Sequence, residues 1–266
     1  MSIITISRGT ASGGQALAER VAAKLGWPCL SNEVIVEAAK RYNVPEPELV
    51  KTFEKAPTFW EKLTASRRVY LTFVQAAMCE YAEHGNLVYH GHAGHALLPG
   101  IRHVLKVRLV APLDYRIRAV MERDPRLDRK GAIRYINTVD EERTSRMRYL
   151  FDVDWRDPYQ YDLVLSLDKL TVETACDLVI QTVQSEPFQR TEASRRALHQ
   201  LALSSRIRAA LDANPQLSPY EIGVAVEDGV VTLSGALPTD DAIRQVVATA
   251  EQASGVTHVI NQLVRK

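Results

Sequence analysis

The stretch Arg8–Ala16, RGTASGGQA, holds the first residues whose types and spacing suggest chemistry. Gly9 and Gly14 stand five apart, after an apolar run and before a helical pattern. That is the setting of a phosphate-binding loop, G-x-x-x-x-G-K-[ST]. Such a loop points backbone N–H groups into a concave turn and adds the positive end of the following helix. Glycines let the backbone approach closely and adopt positive φ. The candidate phosphate site is therefore Arg8, Gly9, Thr10, Ala11, Ser12, Gly13, Gly14, Gln15 and Ala16, with the Ser12 hydroxyl as an extra donor. Two positions depart from the pattern: Gln15 stands where the lysine belongs and Ala16 where the hydroxyl belongs. The lysine follows the β/γ-phosphates into the transition state, and the hydroxyl holds Mg²⁺. Binding should thus survive better than transfer. Arg8 can supply a compensating cation if its side chain turns inward. The plainer alternatives are a solvated loop arginine and a strand-to-helix turn built for packing alone.

A second candidate lies in DEERTSR, where Arg143 and Arg146 are three apart and share a helix face. Arginines there can close over a transferring phosphoryl group as part of a moving lid. Spacing alone favours a salt-bridged surface helix, since Asp140, Glu141 and Glu142 are within reach. Five of the seven histidines fall between positions 84 and 103: His84, His90, His92, His95 and His103. His92 and His95 have the spacing of two metal ligands. No cysteine or acid lies nearby to complete a site, so no metal centre is expected. The other histidines read as surface or packing residues.

These groups need a frame. Strand-like Ile3–Ser7, Leu87–His90, Val104–Val110 and Leu163–Leu167 alternate with helical Gln15–Leu25, Asn32–Lys40, Arg67–His84, Asp114–Glu122, Gly131–Arg148 and Thr171–Val183. Such alternation predicts a parallel sheet with helices on both faces. Residues 184–196, QSEPFQRTEASRR, are polar with little apolar periodicity and read as a linker or a frayed helix end. Beyond them the pattern changes to helix (Leu201–Leu211), two strands around an Asp228-Gly229 hairpin signal, a helix capped by Thr239, and a last strand. The expected organisation is a domain over 1–184, a linker over 185–197 and a small α+β domain over 198–266. A chain ended near Ser185 is expected to fold alone.

Composition narrows the function classes. The 266 residues are 46% hydrophobic and 24% charged, which is ordinary for a globular protein. A formal net charge of +1 argues against a general nucleic-acid binder. Cys29, Cys79 and Cys176 lie far apart and read as free thiols of a reducing compartment. With no signal-like segment and no apolar run approaching a membrane span, a cytoplasmic location is expected.

The opening, ITISRGTASGGQALAERVAAKLGWP, resembles that of the cytidylate kinase-like family, whose loop has the form S-R-E-Y-G-S-G-G-R. The likeness continues through AEHGNLVYHGHAGHALLPGIRHVLKVRLVAPLDYRIRAVMER, around that family's I-x-G-R-G-A segment. It ends in AIRYINTVDEERTSRMRYLFDVDWRDPYQYDLVLSLDKLTVETACDLV, its lid and closing strand. The match covers about residues 1–184. The resemblance implies a P-loop kinase fold and ATP-dependent phosphorylation of CMP or dCMP, with Mg²⁺ carried by the nucleotide. It implies catalytic roles for Arg143, Arg146 and the Gln15 position, and an acceptor-nucleotide site at Gly91 and His92. The departures matter: Gln15 and His92 each replace a family arginine, and Gly9 replaces a glutamate. An imidazole at His92 would bind phosphate more weakly and with pH dependence near pH 6–7. Residues 198–266 resemble a BON domain, through Val224-x-Val226, Asp228-Gly229-x-Val231-x-Leu233-x-Gly235 and Gly255-Val256-x-x-Val259-x-Asn261. That family is associated with phospholipid surfaces or small regulatory modules. Here Lys+Arg 5 against Asp+Glu 7 lacks a polybasic patch, so a protein-interaction or ligand-sensing role is favoured over lipid contact. The rival to an impaired phosphotransferase is a non-catalytic nucleotide-sensing regulator reporting through the BON-like domain. Oligomeric state is left open.

Overall fold

The apolar run Ile3–Ile6 is buried on both faces, as a central strand of a parallel sheet must be. The computed structural model describes residues 1–54, 66–91 and 93–266. β1 (Ile3–Arg8) lies between β3 (Leu87–Tyr89) and β4 (Val104–Val110), with β2 (Cys29–Leu30) and β5 (Leu163–Ser166) outermost. All four pairings are parallel, so the sheet order is β2-β3-β1-β4-β5. Thr5 pairs with Tyr89 and Arg8 with Leu109. This register brings Ser7-Arg8 and His90-Gly91 to one edge of the sheet, the carboxyl ends of the strands. Ligands bind at that edge in open α/β sheets.

Helices α1 (Gly14–Leu25) and α8 (Val172–Val183) pack on the sheet through Leu17, Val21, Cys176 and Val179, against Ile4, Val88, Val107 and Leu165. α5 (Gly94–Leu97) follows β3. α6 (Leu113–Arg123) and α7 (Arg129–Phe151) hold a separate apolar seam of Ile117, Val120, Ala132 and Ile136. Asp128 caps α7 by accepting from the Gly131 N–H at 2.7 Å. These elements belong to one compact unit, Met1–Glu33 and Gly85–Thr191 with a short piece of the intervening chain.

The second unit comprises most of α2 (Glu33–Tyr42) and α3 (Glu46–Glu54), α4 (Ser66–Glu83), and everything from Glu192 onward. Its carboxyl-terminal part runs α9 (Glu192–Asp212), β6 (Gly223–Glu227), β7 (Val230–Leu237), α10 (Asp240–Glu251) and β8 (His258–Arg265). The β6–β7 pair is antiparallel, β7–β8 parallel, and Leu203, Ile207, Val231, Leu233 and Val246 fill the core. Asp228 and Gly229 have φ of 46° and 83°, as a two-residue hairpin turn requires. Gly235 lies inside β7. A Cβ there would sit 2.6 Å from the Glu221 carbonyl oxygen. α9 begins at Glu192, so half of the expected 185–197 linker is helix, and the expected helix start at Leu201 is nine residues late. EASRRALHQLA is rich in strong helix formers, and its buried positions Ser194, Leu198 and Ala202 are mostly small, which mutes the apolar signal.

Candidate functional site

The loop between β1 and α1 has the backbone that its glycines forecast. Ala11 and Gly13 are left-handed, with φ of 57° and 77°. Gly13 caps α1 without any side-chain hydrogen bond, and no acid stands in the first turn. The first N–H groups of the helix, which have no intrahelical acceptor, are thus left to meet an anion. The loop is braced from within and from without. The Ser12 hydroxyl donates to the Gly9 carbonyl at 2.8 Å, bracing the loop from within. Asp140 of α7 accepts from both the Thr10 N–H (3.0 Å) and the Thr10 hydroxyl (2.7 Å). Arg116 of α6 ties this corner by donating to Asp140 at 2.5 Å and to the Thr10 carbonyl at 2.7 Å.

Arg8 turns inward. A Cβ on Gly14 would lie 2.1 Å from Arg8 Cδ, so the arginine side chain crosses directly over the glycine. It enters a cleft of about 640 Å³ lined by the loop, Gln15, Glu19, Glu33, His90, Gly91, Arg123, Tyr135 and Arg143. Burial lowers the Arg8 pKa from the usual guanidinium value, yet the group remains a cation at neutral pH. Arg143 donates to the Arg8 carbonyl, and its guanidinium lies 5.2 Å from the Trp155 ring. The same ring carries Arg108 at 4.5 Å on β4. Arg123, at the end of α6, donates to the Tyr135 hydroxyl at 2.9 Å. Three arginines therefore face two glutamates around the loop mouth, and the cleft favours an anion.

The candidate site residues meet different fates. Thr10, Ala11, Ser12, Gly13, Gly14 and Gln15 line the cleft with Arg8; Gly9 sits behind it, and Ala16 faces solvent on α1. Gln15 donates to Glu19 one helical turn on, at 2.8 Å. The pair Arg143 and Arg146 is separated: Arg143 enters the cleft, whereas Arg146 is only 1% exposed and turns into the protein. Gly91 lines the cleft; His92 lies outside the described residues. His90, read only as surface or packing, lines the cleft as well. Burial and the nearby Arg8 lower its pKa, keeping the ring neutral. Arg123, Glu19, Tyr135 and the Asp140–Arg116 brace are further residues that the sequence reading missed. They come from three helices, α1, α6 and α7, with α1 distant in sequence from the other two, so only the fold unites them. Among the described residues, no group of three or more His, Cys, Asp and Glu could hold a metal ion. The carboxylates of the cleft are Glu19 and Glu33, which suits a Mg²⁺ held largely by phosphate oxygens and water.

Residues 3–169 match the cytidylate kinase-like family, and residues 200–266 match the BON domain. No protein of curated function matches the chain. Among solved structures, an uncharacterized protein from Eubacterium ventriosum is 23% identical, with a TM-score of 0.54, covering 70% of this chain and all of its own. Shikimate kinase from Bacteroides thetaiotaomicron is 14% identical, with a TM-score of 0.42, over 69% of this chain and 99% of its own. The Eubacterium likeness shows the fold over that share of the chain. No helix among the described residues is long and apolar enough to cross a membrane.

Proposed function

Because the chain belongs to the cytidylate kinase-like family, we propose that its cleft binds ATP at the glycine loop and CMP or dCMP toward Gly91, and transfers a phosphoryl group slowly between them. The observation that carries this reading is the convergence of Arg8, Arg123 and Arg143 on a loop that lacks its lysine. Backbone N–H groups and the α1 terminus hold the ground-state phosphates. The arginines oppose the charge that spreads over the equatorial oxygens during transfer. Glu19 and Glu33, the carboxylates of the cleft, would hold the water shell of a Mg²⁺ carried in by the nucleotide, which would supply charge neutralisation of the phosphates. Gln15 brings no charge and Ala16 no ligand, which keeps turnover below the range of ordinary kinases, about 1–100 s⁻¹.

A second reading is a non-catalytic nucleotide sensor acting through the BON domain. It is favoured by Gln15, whose amide is spent on Glu19. Turnover of ATP with CMP decides between them. On the first reading the wild type turns over slowly. Arg143→Ala should then lower kcat by about 10²–10³-fold, the usual cost of one charge-stabilising donor. Gln15→Lys should raise kcat more than it changes KM, as expected for an interaction made mainly in the transition state. Nucleotide binding by calorimetry without any turnover, in the wild type and Gln15→Lys alike, would leave the sensor reading.

A further inference from the structure

Behind the main cleft lies a smaller cavity of about 30 Å³, lined by Ser7, Arg8, Gly91, His95, Arg143 and Trp155 among others. It shares Arg8, Gly91 and Arg143 with the cleft, so it forms the inner end of the same site. Its size admits one water, hydroxyl or amino group. His95 is only 6% exposed, and its Nε2 is buried with no hydrogen-bond partner among the described residues. The other nitrogen, Nδ1, lies 2.9 Å from the Ser7 hydroxyl.

The Tyr161 hydroxyl donates to the Trp155 carbonyl at 2.7 Å, so its proton is committed away from the His95 ring, whose centroid lies 5.0 Å from that of Tyr161. The bond between Ser7 and Nδ1 runs from the ring in one tautomer and from the hydroxyl in the other. Burial, with Lys106 and Arg108 nearby on β4, lowers the His95 pKa to about 4, so the ring is neutral. With the ring proton on Nδ1, Nε2 is a bare lone pair. A buried acceptor left unmet is costly, and the site is complete only when a donor arrives.

We propose that the His95 ring proton sits on Nδ1, toward Ser7, and that His95 is a specificity-determining residue, whose Nε2 accepts one O–H or N–H of the acceptor nucleotide at the inner end of the cleft. This inference rests on the nucleotide reading above. The natural donors are the ribose 2′-hydroxyl and the exocyclic amino group of cytosine, and three probes separate them. CMP against dCMP reports the hydroxyl, and CMP against UMP reports the amino group.

Calorimetric Kd values for the three nucleotides should show one of these two ratios at about tenfold in the full-length wild type, the value of one such bond. His95→Phe should collapse that ratio toward one, while His95→Gln, which keeps an acceptor, should retain part of it. Ratios are read because a packing defect would weaken all three nucleotides alike. Nitrogen-detected NMR of histidine-labelled wild type supplies a check independent of any variant's folding, and should show His95 neutral with Nε2 unprotonated. A protonated Nε2, or tight binding with neither ratio dependent on His95, overturns the inference and leaves the nucleotide reading intact. Failure of all three nucleotides to bind wild type overturns both.

Discussion

Gly14 is the residue on which the cationic cleft turns. Its φ is ordinary, so the glycine is not there for backbone freedom. It is there for space, because the Arg8 side chain crosses it with Cβ, Cγ and Cδ all within 2.8 Å of where a Cβ would stand. Only the far end of a flexible chain could yield cheaply, and here the near end is involved. Gly14→Ala should therefore expel Arg8 from the cleft rather than nudge it. We expect ATP affinity to fall by about tenfold, in line with the loss of one charge-assisted contact, while α1 gains slightly in helix propensity. Calorimetry on Gly14→Ala and Arg8→Ala checks this: the two losses should be similar and should not add in the double variant. Additive losses would mean that Arg8 acts without crossing Gly14. Similar reasoning explains Gly91 and Gly94, whose absent Cβ atoms make room for the buried Tyr89 ring.

At the level of elements, the sheet strands and long helices were legible because their periodicities are strong. Ile3–Ser7 is mostly apolar, Val104–Val110 alternates apolar residues with Lys106 and Arg108, and the loop glycines sit between a strand and a helix. The two-residue strand β2, the single-turn α5 and the short α3 carry too few residues for a periodic signal. The separation of Arg143 from Arg146 was not legible either. A step of three residues leaves the side chains some 60° apart on a helix, and only packing decides which one is buried. The brace through Asp140 was hidden most completely, since Thr10, Arg116 and Asp140 come from three elements. Its side chains are mostly shielded, 15% exposed for Arg116 and 23% for Asp140. Asp140→Ala should remove both bonds to Thr10 and strand the Arg116 guanidinium. A loss on the order of 1–3 kcal/mol at this corner is expected. Hydrogen exchange should quicken at residues 9–14 while α8 stays protected. Unchanged exchange in the loop would show that α7 does not hold it.

For the molecule as a whole, α4 raises the question of where one folding unit ends. By sequence it precedes β3 and falls within the kinase-like match, yet it packs in the second compact unit against α9. The facing surfaces are built for close approach. Ala76, Cys79 and Ala82 on one helix and Leu198, Ala202, Ser205 and Ala209 on the other are all buried. The helices run antiparallel, with Cys79 Sγ 3.9 Å from the Ser205 hydroxyl and His199 Nδ1 2.8 Å from Glu83. Burial raises the Cys79 thiol pKa to about 12, so it stays protonated and unreactive while this contact persists. A chain ended at Ser185 loses α9 and leaves the small-residue face of α4 in water. We therefore expect the truncated protein to aggregate or to melt well below the full chain, against the independent folding that the sequence boundary suggests. Cys79 is the reporter. A thiol reagent should leave it untouched in the full-length protein and label it rapidly after truncation, with Cys176 in α8 as the buried internal control. A truncated protein that melts cooperatively at the full-length temperature, with Cys79 still protected, would mean that α4 finds its partners within the first 185 residues.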